Sequence, residues 1–188
     1  MLSMRIYNHE IYSDMKLFFC LSVLLSFCLV PAEPALARKR VSVPARANLS
    51  LECIREAARR HDVPLASLLG ILATEGGKPG EALSNRNGTW DMGPFQLNTC
   101  HVNALLERGV SPYDVLADAC VNADAAAWLL AREFDRTRDL WEAIGAYHSR
   151  TRHLHRAYVR RVRDNLAKLE QGRVSALIEY ANGQRGAW

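Results

Sequence analysis

The strongest constraint in the sequence is an apolar stretch that ends in a single acidic residue, Glu75. Leucine recurs at three- and four-residue intervals over residues 65–72, which is the period of an α-helix. Pro64 suits the first turn of such a helix, and Gly76-Gly77 suits its end. Because Glu75 continues the leucine stripe, the acid shares the apolar face. The pattern therefore predicts a buried helix with a carboxyl group at its C-terminal end.

A carboxyl group in that place is expected to resist ionisation. Apolar surroundings disfavour the charged form, and the negative end of the helix dipole does the same. Both effects raise the pKa of Glu75 above the reference of about 4.3. A carboxyl group that stays protonated near neutral pH can serve as a general acid. The alternative from this stretch alone is a frayed helix end with Glu75 facing water.

The first 37 residues are typical of a secretion signal. Lys16 precedes an apolar run over residues 17–30, and Ala35-Leu36-Ala37 fits the small-x-small rule for cleavage. Met15 is an alternative start of translation. The apolar run is too short for a comfortable membrane span. We therefore expect cleavage after Ala37, a periplasmic protein, and no membrane span once the leader is removed.

Charge and cysteine content narrow the class of protein. The formal net charge is +4, which fits an anionic polymer or surface without demanding one. Of the five cysteines, Cys53, Cys100 and Cys120 lie outside the leader. Three cysteines in an oxidising compartment indicate one disulfide and one free thiol. The chain has no Cys-x-x-Cys pair, and we expect neither a metal nor another cofactor.

The pattern of caps and turns predicts a mainly α-helical domain of about six helices. Ser50 and Asp139 are expected to cap helices, and another helix is expected to open at Asn122 or Asp124. Turn-forming residues crowd residues 78–98, which predicts a small β-like hairpin or loop after the acid, and a loop of this length is usually functional. The expected organisation is a signal over 1–37, a loose basic N-terminal arm over 38–49, the main domain over 50–150, an arginine-rich C-terminal helix over 151–171 that packs on it, and a tail over 172–188.

The arginine-rich helix is predicted to have a buried and an exposed face. Its expected buried residues are Leu154, Tyr158, Val162, Leu166 and Leu169. Three interpretations of the arginine face stay open: a solvated surface, attraction to an anionic wall polymer or membrane surface, and docking to an acidic partner. We expect no nucleic-acid partner and a monomeric protein.

Four motifs follow one another in the order found in a known family. They are Ile71-Leu72-Ala73-Thr74-Glu75-Gly76-Gly77, Asn85-Arg86-Asn87-Gly88, Gly93-Pro94-Phe95-Gln96-Leu97-Asn98 and Ala143-Ile144-Gly145-Ala146-Tyr147-His148. Over about residues 50–150 the chain resembles the soluble lytic transglycosylases, which have a lysozyme-like fold. The segments Trp90-Asp91-Met92-Gly93 and Asp118-Ala119-Cys120-Val121-Asn122 are most similar to the specialised branch found with type IV secretion, conjugation and pilus systems.

The resemblance implies an enzyme that cuts peptidoglycan between N-acetylmuramic acid and N-acetylglucosamine. The hydroxymethyl oxygen of the muramic acid would attack and leave an anhydro-muropeptide. One acid would protonate the leaving oxygen and then take the proton from the attacking hydroxyl. A substrate-assisted scheme does not need the second carboxylate of an ordinary glycosidase. The implied role is to open the wall locally for a secretion, conjugation or pilus apparatus.

The resemblance also assigns roles to individual residues. Glu75 matches the acid/base, and Tyr147 matches a tyrosine whose hydroxyl approaches the acid. The expected substrate-binding residues are Asn85, Trp90, Phe95, Gln96, Asn98, Tyr147 and His148. Phe95 and Trp90 are expected to contact a sugar ring, and a place in the core is the alternative for Trp90 and for Tyr147.

Several positions depart from the family pattern, among them Pro94 in place of a leucine, and two cysteines follow the pattern of the branch. Gly76 stands where the family usually has a serine that helps to position substrate, and His148 stands where it has an asparagine. In the related branch, cysteines often occupy the places of Cys53 and Cys120. The resemblance therefore implies a disulfide between these two residues and a free thiol at Cys100.

Two other functions stay open. The first is a hydrolytic muramidase of the same fold, in which Asp91 is the second carboxylate and activates water. The structural alternative for Asp91 is a brace of its turn. The second is a wall-binding assembly protein that has kept the fold without the activity.

Overall fold

The structure, a computed structural model, describes residues 38–169 and 172–184. The compact unit of the main domain begins at Arg38. The predicted secretion signal and its expected cleavage site lie outside the described residues.

Eight α-helices and one 3-10 turn make up most of the described chain. They are α1 (Leu51–Arg60), α2 (Leu65–Glu75), the 3-10 turn (Thr99–His101), α3 (Val102–Leu106), α4 (Pro112–Ala117), α5 (Ala119–Thr137), α6 (Leu140–His148), α7 (Arg152–Leu169) and α8 (Val174–Ala181). The mainly α-helical prediction is confirmed. The helix count exceeds six partly because α8 forms within the predicted tail.

Local side-chain caps explain where several helices begin. The Ser50 hydroxyl accepts a hydrogen bond from the Cys53 amide at the start of α1, as predicted. Asp139 caps α6 by accepting from two backbone amides. Asp118 caps α5, which therefore begins at Ala119 and not at Asn122 or Asp124. The sequence-based prediction of this start was wrong because it took the alanine-rich segment as the beginning of the helix, although Asp118 caps the helix earlier.

A four-stranded antiparallel sheet follows α2 in the fold. Its strands are β1 (Arg40–Ser42), β2 (Glu81–Ser84), β3 (Trp90–Met92) and β4 (Leu97–Asn98), in the order β1-β2-β3-β4. The predicted small β-like element is thus present. The prediction of a loose arm over 38–49 is wrong for its first part, because β1 pairs with β2 and places Arg40 opposite Leu83. The open edge of β2 gives the backbone of β1 hydrogen-bond partners.

Helix α2 lies in the middle of the hydrophobic core. Leu68, Ile71 and Leu72 are fully buried, as the leucine stripe predicted. Helix α2 packs against α1 and α7, while α5 packs against α6. Burying side chains of this size stabilises the fold by roughly 1.5–3 kcal/mol each. The core therefore fixes the C-terminal end of α2, where Glu75 lies.

The two C-terminal helices differ from their predictions in detail. On α7, Tyr158, Val162 and Leu169 are buried as expected, but Leu154 is 43% exposed because it lies beside an open cleft. Helix α8 buries Leu177 and Ala181, so the predicted tail is not loose over residues 174–181.

Two further contacts tie distant parts of the chain together. A disulfide joins Cys53 on α1 to Cys120 at the start of α5, which is the expected pair. Cys100 is free and exposed. The Asn182 side chain exchanges two hydrogen bonds with the backbone of Leu49, each 2.8 Å long. These links hold the two ends of the domain against its core.

Candidate active site

A cleft of about 620 Å³ opens between the sheet and the ends of α2, α6 and α7. The residues that line it are Glu75, Asn85, Arg86, Asn87, Thr89, Asp91, Gln96, Leu97, Asn98, Cys100, His101, Leu129, Tyr147, His148 and Leu154. Six of the expected site residues lie here: Glu75, Asn85, Gln96, Asn98, Tyr147 and His148. The fold thus brings together side chains that are up to 73 residues apart in the sequence.

Glu75 is the acid of this cleft, and its surroundings favour the protonated form. Burial raises the pKa of Glu75 to about 7. The Tyr158 hydroxyl, which donates to Glu75 Oε1 over 2.7 Å, acts in the opposite direction because it stabilises the carboxylate. The charge of Asp91 adds to the rise in the pKa, and Arg161 opposes it. At neutral pH Glu75 is therefore divided between its acid and its base form.

Tyr158 is held in a stack of side chains behind the acid. Its ring is fully buried and lies parallel to the His148 ring, with 4.5 Å between their centroids. The Arg161 guanidinium lies 5.4 Å from the Tyr158 ring centroid. Burial raises the pKa of the Tyr158 hydroxyl well above its usual value, so the hydroxyl keeps its proton and remains a donor to Glu75.

Tyr147 lines the cleft, and its hydroxyl bonds the backbone of the cleft floor. Its hydroxyl donates to the Phe95 carbonyl oxygen over 3.1 Å. Burial, followed by the nearby charge of Glu75, raises the pKa of Tyr147 well above its usual value. The tyrosine that donates to the acid is Tyr158, whereas Tyr147 joins α6 to the backbone beneath the cleft.

The segment over residues 93–97 forms the cleft floor, and hydrogen bonds with a buried asparagine hold its backbone in place. Asn122 is fully buried on α5; its Oδ1 accepts from the Phe95 amide over 2.9 Å, and its Nδ2 donates to the Met92 and Val115 carbonyls. Gln96 has a positive φ of 48° and donates to the Gly93 carbonyl from both its backbone and its side-chain amide. The Phe95 and Gln96 backbone amides are therefore already bonded within the protein.

Two expected sugar contacts are not placed in the cleft. Phe95 is fully buried, so its side chain supports the floor and does not reach a ligand. Trp90 is half-buried, packs against the core and does not line the cleft. For Trp90 the core was the alternative that the sequence had left open. The physical reason is the same in both places, since an aromatic side chain next to a forming core gains more by burial there than at an open surface.

One wall of the cleft is a network of polar side chains around Asp91. Asn98 Nδ2 donates to Asp91 Oδ1 over 2.7 Å, and Arg38 Nη2 donates to Asp91 Oδ2 over 2.7 Å. The Thr89 hydroxyl oxygen accepts from the side-chain amides of Asn85 and Asn98. Both oxygens of Asp91 thus have partners within the protein.

Two histidines add polar groups that are largely uncharged at neutral pH. Burial lowers the pKa of His148, and Arg161 lowers it further. Burial and the charge of Arg132 likewise lower the pKa of His101. A neutral imidazole can both donate and accept a hydrogen bond. His148 can therefore supply the hydrogen-bonding groups that an asparagine would supply in its place.

Sequence reasoning missed three residues of this site. Tyr158 was expected to be buried, and the signal for its role was the phenol itself, because a buried tyrosine hydroxyl needs a partner. Arg161 is exposed, as the arginine face predicted, and what the sequence did not show is that its charge acts on Glu75. Arg38 was assigned to a loose arm, and no local pattern pointed to the cleft.

The structure carries neither a metal cluster nor a membrane-crossing helix in the part it describes. Over residues 38–169 and 172–184, no group of three or more His, Cys, Asp or Glu side chains is placed to hold a metal ion. None of the helices in these same ranges has the length and apolarity that a membrane crossing requires.

Comparison with known proteins shows the family of the chain. The model of the transglycosylase SLT domain matches residues 52–169. The chain is 28% identical over 125 residues to the invasion protein IagB of Salmonella typhi, which is 64% of this chain and 78% of that protein. It is 33% identical over 101 residues to the protein IpgF of Shigella flexneri, 53% of this chain and 66% of that protein. It is 34% identical over 70 residues to the X polypeptide of Escherichia coli, 37% of this chain and 41% of that protein.

Proposed function

Because the chain belongs to the transglycosylase SLT domain family, we propose that it is an exported lytic transglycosylase of peptidoglycan. It cleaves the bond between N-acetylmuramic acid and N-acetylglucosamine and releases anhydro-muropeptides. The observation that carries this proposal is the position of Glu75, a carboxyl group with a pKa raised to about 7 at the side of a glycan-sized cleft.

The mechanism uses Glu75 in both of its protonation states. The protonated carboxyl donates its proton to the glycosidic oxygen as the bond to the leaving sugar breaks. The resulting carboxylate then takes the proton from the C6 hydroxyl of the muramic acid, whose oxygen bonds to C1 and closes the anhydro ring. A pKa near the working pH suits a group that must act first as acid and then as base.

The contacts of Asp91 support ring closure over hydrolysis. A glycosidase that activates water needs a second carboxylate with a free oxygen facing the sugar. Asp91 Oδ2 is held by Arg38 and Asp91 Oδ1 by Asn98. Because both oxygens already accept hydrogen bonds within the protein, neither is free to activate water, and the reaction that needs a single acid is favoured.

The biological setting is proposed from the relatives and the leader. One relative is named an invasion protein, and the disulfide between Cys53 and Cys120 suits an oxidising compartment. These observations support a periplasmic enzyme that opens the wall locally for a secretion, conjugation or pilus apparatus.

Digestion of purified peptidoglycan tests the proposed reaction. We expect the wild-type protein to release anhydro-muropeptides, identified by mass spectrometry, and the Glu75→Gln variant to release none, because an amide cannot donate the proton. Glu107→Gln is the matched control, since Glu107 is exposed just after α3 and lies outside the cleft.

Two results would contradict the proposal. Products heavier by one water would show hydrolysis and would assign the muramidase reaction to Glu75 and Asp91. No products from a folded, oxidised wild-type protein would favour a wall-binding role without catalysis.

A further inference from the structure

The residue that organises the wall of the cleft lies outside the segment matched by the family. The family model begins at residue 52, whereas Arg38 precedes strand β1. Its guanidinium nevertheless donates three hydrogen bonds, two of them to side chains that line the cleft. Nη2 donates to Asp91 Oδ2 over 2.7 Å and to Asn85 Oδ1 over 2.8 Å, and Nε donates to the Ser84 carbonyl over 2.9 Å.

Strand pairing fixes the place from which Arg38 acts. The Lys39 carbonyl accepts from the Ser84 amide over 2.8 Å, and the Lys39 amide donates to Ser84 Oγ over 2.7 Å. The pairs Arg40 with Leu83 and Val41 with Ala82 continue the register. Lys39, next to Arg38, and Ser84, next to Asn85, are thus bonded to each other. The strand pairing therefore places the Arg38 side chain beside Asn85 and Asp91.

The two acceptors of Arg38 are themselves part of the cleft lining. Asn85 and Asp91 both line the cleft. They are connected through a chain of hydrogen bonds, in which Asn85 donates to the Thr89 hydroxyl oxygen and Asn98 donates to both Thr89 and Asp91. Arg38 is the cation of this network. Its removal would leave Asp91 with the Asn98 amide alone and Asn85 Oδ1 without its donor.

The same contact involves a charge that acts on the acid. The groups that act on Glu75 are Asp91 on β3, with Tyr158 and Arg161 on α7. Tyr147 and His148 on α6 complete this side of the cleft. Among these groups, Asp91 is the one whose negative charge raises the pKa of Glu75. A guanidinium 2.7 Å away offsets that charge, and the Asp91 side chain is only 19% exposed, so water screens it incompletely.

We propose that Arg38 is a positioning residue of the cleft: it holds Asp91 and Asn85 in place for the glycan and offsets the charge of Asp91 beside Glu75. The inference rests on the proposed glycan-cleaving function for its substrate. The segment that contains Arg38, which precedes the family domain, therefore contributes to the site.

The test compares two arginines of the same segment. Arg38→Gln removes the cation that bonds the cleft residues Asp91 and Asn85, whereas Arg40→Gln removes a cation that pairs with Glu81, outside the cleft. With soluble peptidoglycan fragments as substrate, we expect Arg38→Gln to raise KM several-fold, because the wall loses its alignment. We expect the alkaline limb of the pH–rate profile to move up by roughly half a unit or more, because the charge of Asp91 is no longer offset. Arg40→Gln should match the wild type in both respects.

A double variant separates the electrostatic role from a structural one. In Arg38→Gln/Asp91→Asn, the shift of the alkaline limb should disappear, since the charge that causes it is gone. If Arg38→Gln leaves both KM and the alkaline limb unchanged, the inference is overturned. A lower kcat with the same pH profile in the single and double variants would also overturn it, because it would show general loosening of the sheet.

Titration of Glu75 makes the inference independent of turnover. Carbon-13 NMR of the unliganded proteins should give a higher pKa for Glu75 in Arg38→Gln than in the wild type or in Arg40→Gln. Equal values would overturn the inference. A wild type that cleaves no glycan would contradict the proposed function, while this comparison of pKa values would still decide the role of Arg38.

Discussion

At the scale of single residues, the proposed chemistry depends on how Glu75 is kept near its point of half-ionisation. Burial raises its pKa to about 7, and the hydrogen bond from Tyr158 limits the rise. A fully exposed glutamate would be ionised at neutral pH and unable to donate a proton. A fully buried one without a donor would stay protonated and fail as the base. The Tyr158 hydroxyl therefore matters to both steps.

Tyr158→Phe tests this balance without changing the shape of the core. In the wild type we expect kcat/KM to fall as the pH rises through about 7, because the acid form of Glu75 is lost. The variant lacks the hydrogen bond that stabilises the carboxylate, so the pKa of Glu75 rises and the alkaline limb moves to higher pH. A hydrogen bond to a charged group contributes about 1.5–3 kcal/mol, which corresponds to a shift of roughly one to two units.

Tyr147→Phe serves as the control for this experiment. Its hydroxyl donates to the Phe95 carbonyl and not to Glu75. We expect a smaller shift of the limb than in Tyr158→Phe. Equal shifts in the two variants would contradict the assignment of Tyr158 as the hydrogen-bond donor to the acid.

The sequence predicted the position of Glu75 but not the partners that tune it. The leucine stripe and the glycine pair were enough to place the acid at the end of a buried helix, because that signal is local. Tyr158 lies 83 residues further along the chain, and a periodic pattern shows only that it is buried. Phe95 and Trp90 were predicted as sugar contacts, since sequence spacing does not show whether an aromatic faces a cleft or a core.

Gly76 shows why a departure from a family pattern needs the structure for its interpretation. Its backbone has a φ of 62°, and it ends α2 in the left-handed conformation. A Cβ added there would meet the Tyr180 side chain only at ordinary contact distances of 3.5 Å and more. Space is therefore available for a serine, and the backbone conformation is what favours glycine.

At the scale of elements, the close approach of α6 to α7 holds two cleft residues in place. Gly145 lies on α6 just before Tyr147 and His148, and a Cβ there would come within 2.3 Å of the His155 ring on α7. We expect Gly145→Ala to force the helices apart and to lower the free energy of unfolding by about 1–3 kcal/mol, measured by urea denaturation. Because α6 carries Tyr147, activity should fall as well.

Combining this change with His155→Ala is the control. Removing the ring makes room for the new methyl group, so the double variant should be more stable than the sum of the two single effects predicts. If the effects of the two single variants on the free energy of unfolding simply add, the loss of stability in Gly145→Ala does not come from a clash with the His155 ring.

The helices were easier to predict than the elements that complete the sheet and the C-terminal end. Ser50, Asp139 and the turn residues mark helix boundaries locally. Strand β1 has three residues and gains its structure from pairing with β2, about 40 residues away. Helix α8 is likewise fixed by the burial of Leu177 and Ala181 against the rest of the domain. Such elements depend on tertiary contacts that no local window contains.

At the scale of the whole molecule, the disulfide between Cys53 and Cys120 closes a segment of 67 residues. Cross-linking so long a loop restricts the unfolded chain and contributes roughly 4 kcal/mol in the loop-entropy account. We expect Cys53→Ser/Cys120→Ser to lower the midpoint of thermal unfolding markedly, as measured by circular dichroism. Cys100→Ser should leave the midpoint unchanged, because this cysteine is exposed and free. A similar loss in Cys100→Ser would contradict this assignment.

The hydrogen bonds between Leu49 and Asn182 have a consequence for how the protein is made. The two residues are separated by 133 positions, and Leu49 is 2% exposed. The chain is synthesised from its N-terminus. The partner of the Leu49 backbone, Asn182, is therefore made only after almost all of the described domain. A product of premature termination upstream of Asn182 would bury an unpaired amide and carbonyl or leave that corner open. A chain that lacks Asn182 is therefore expected to be cleaved by proteases near Leu49 more readily than a chain that contains it.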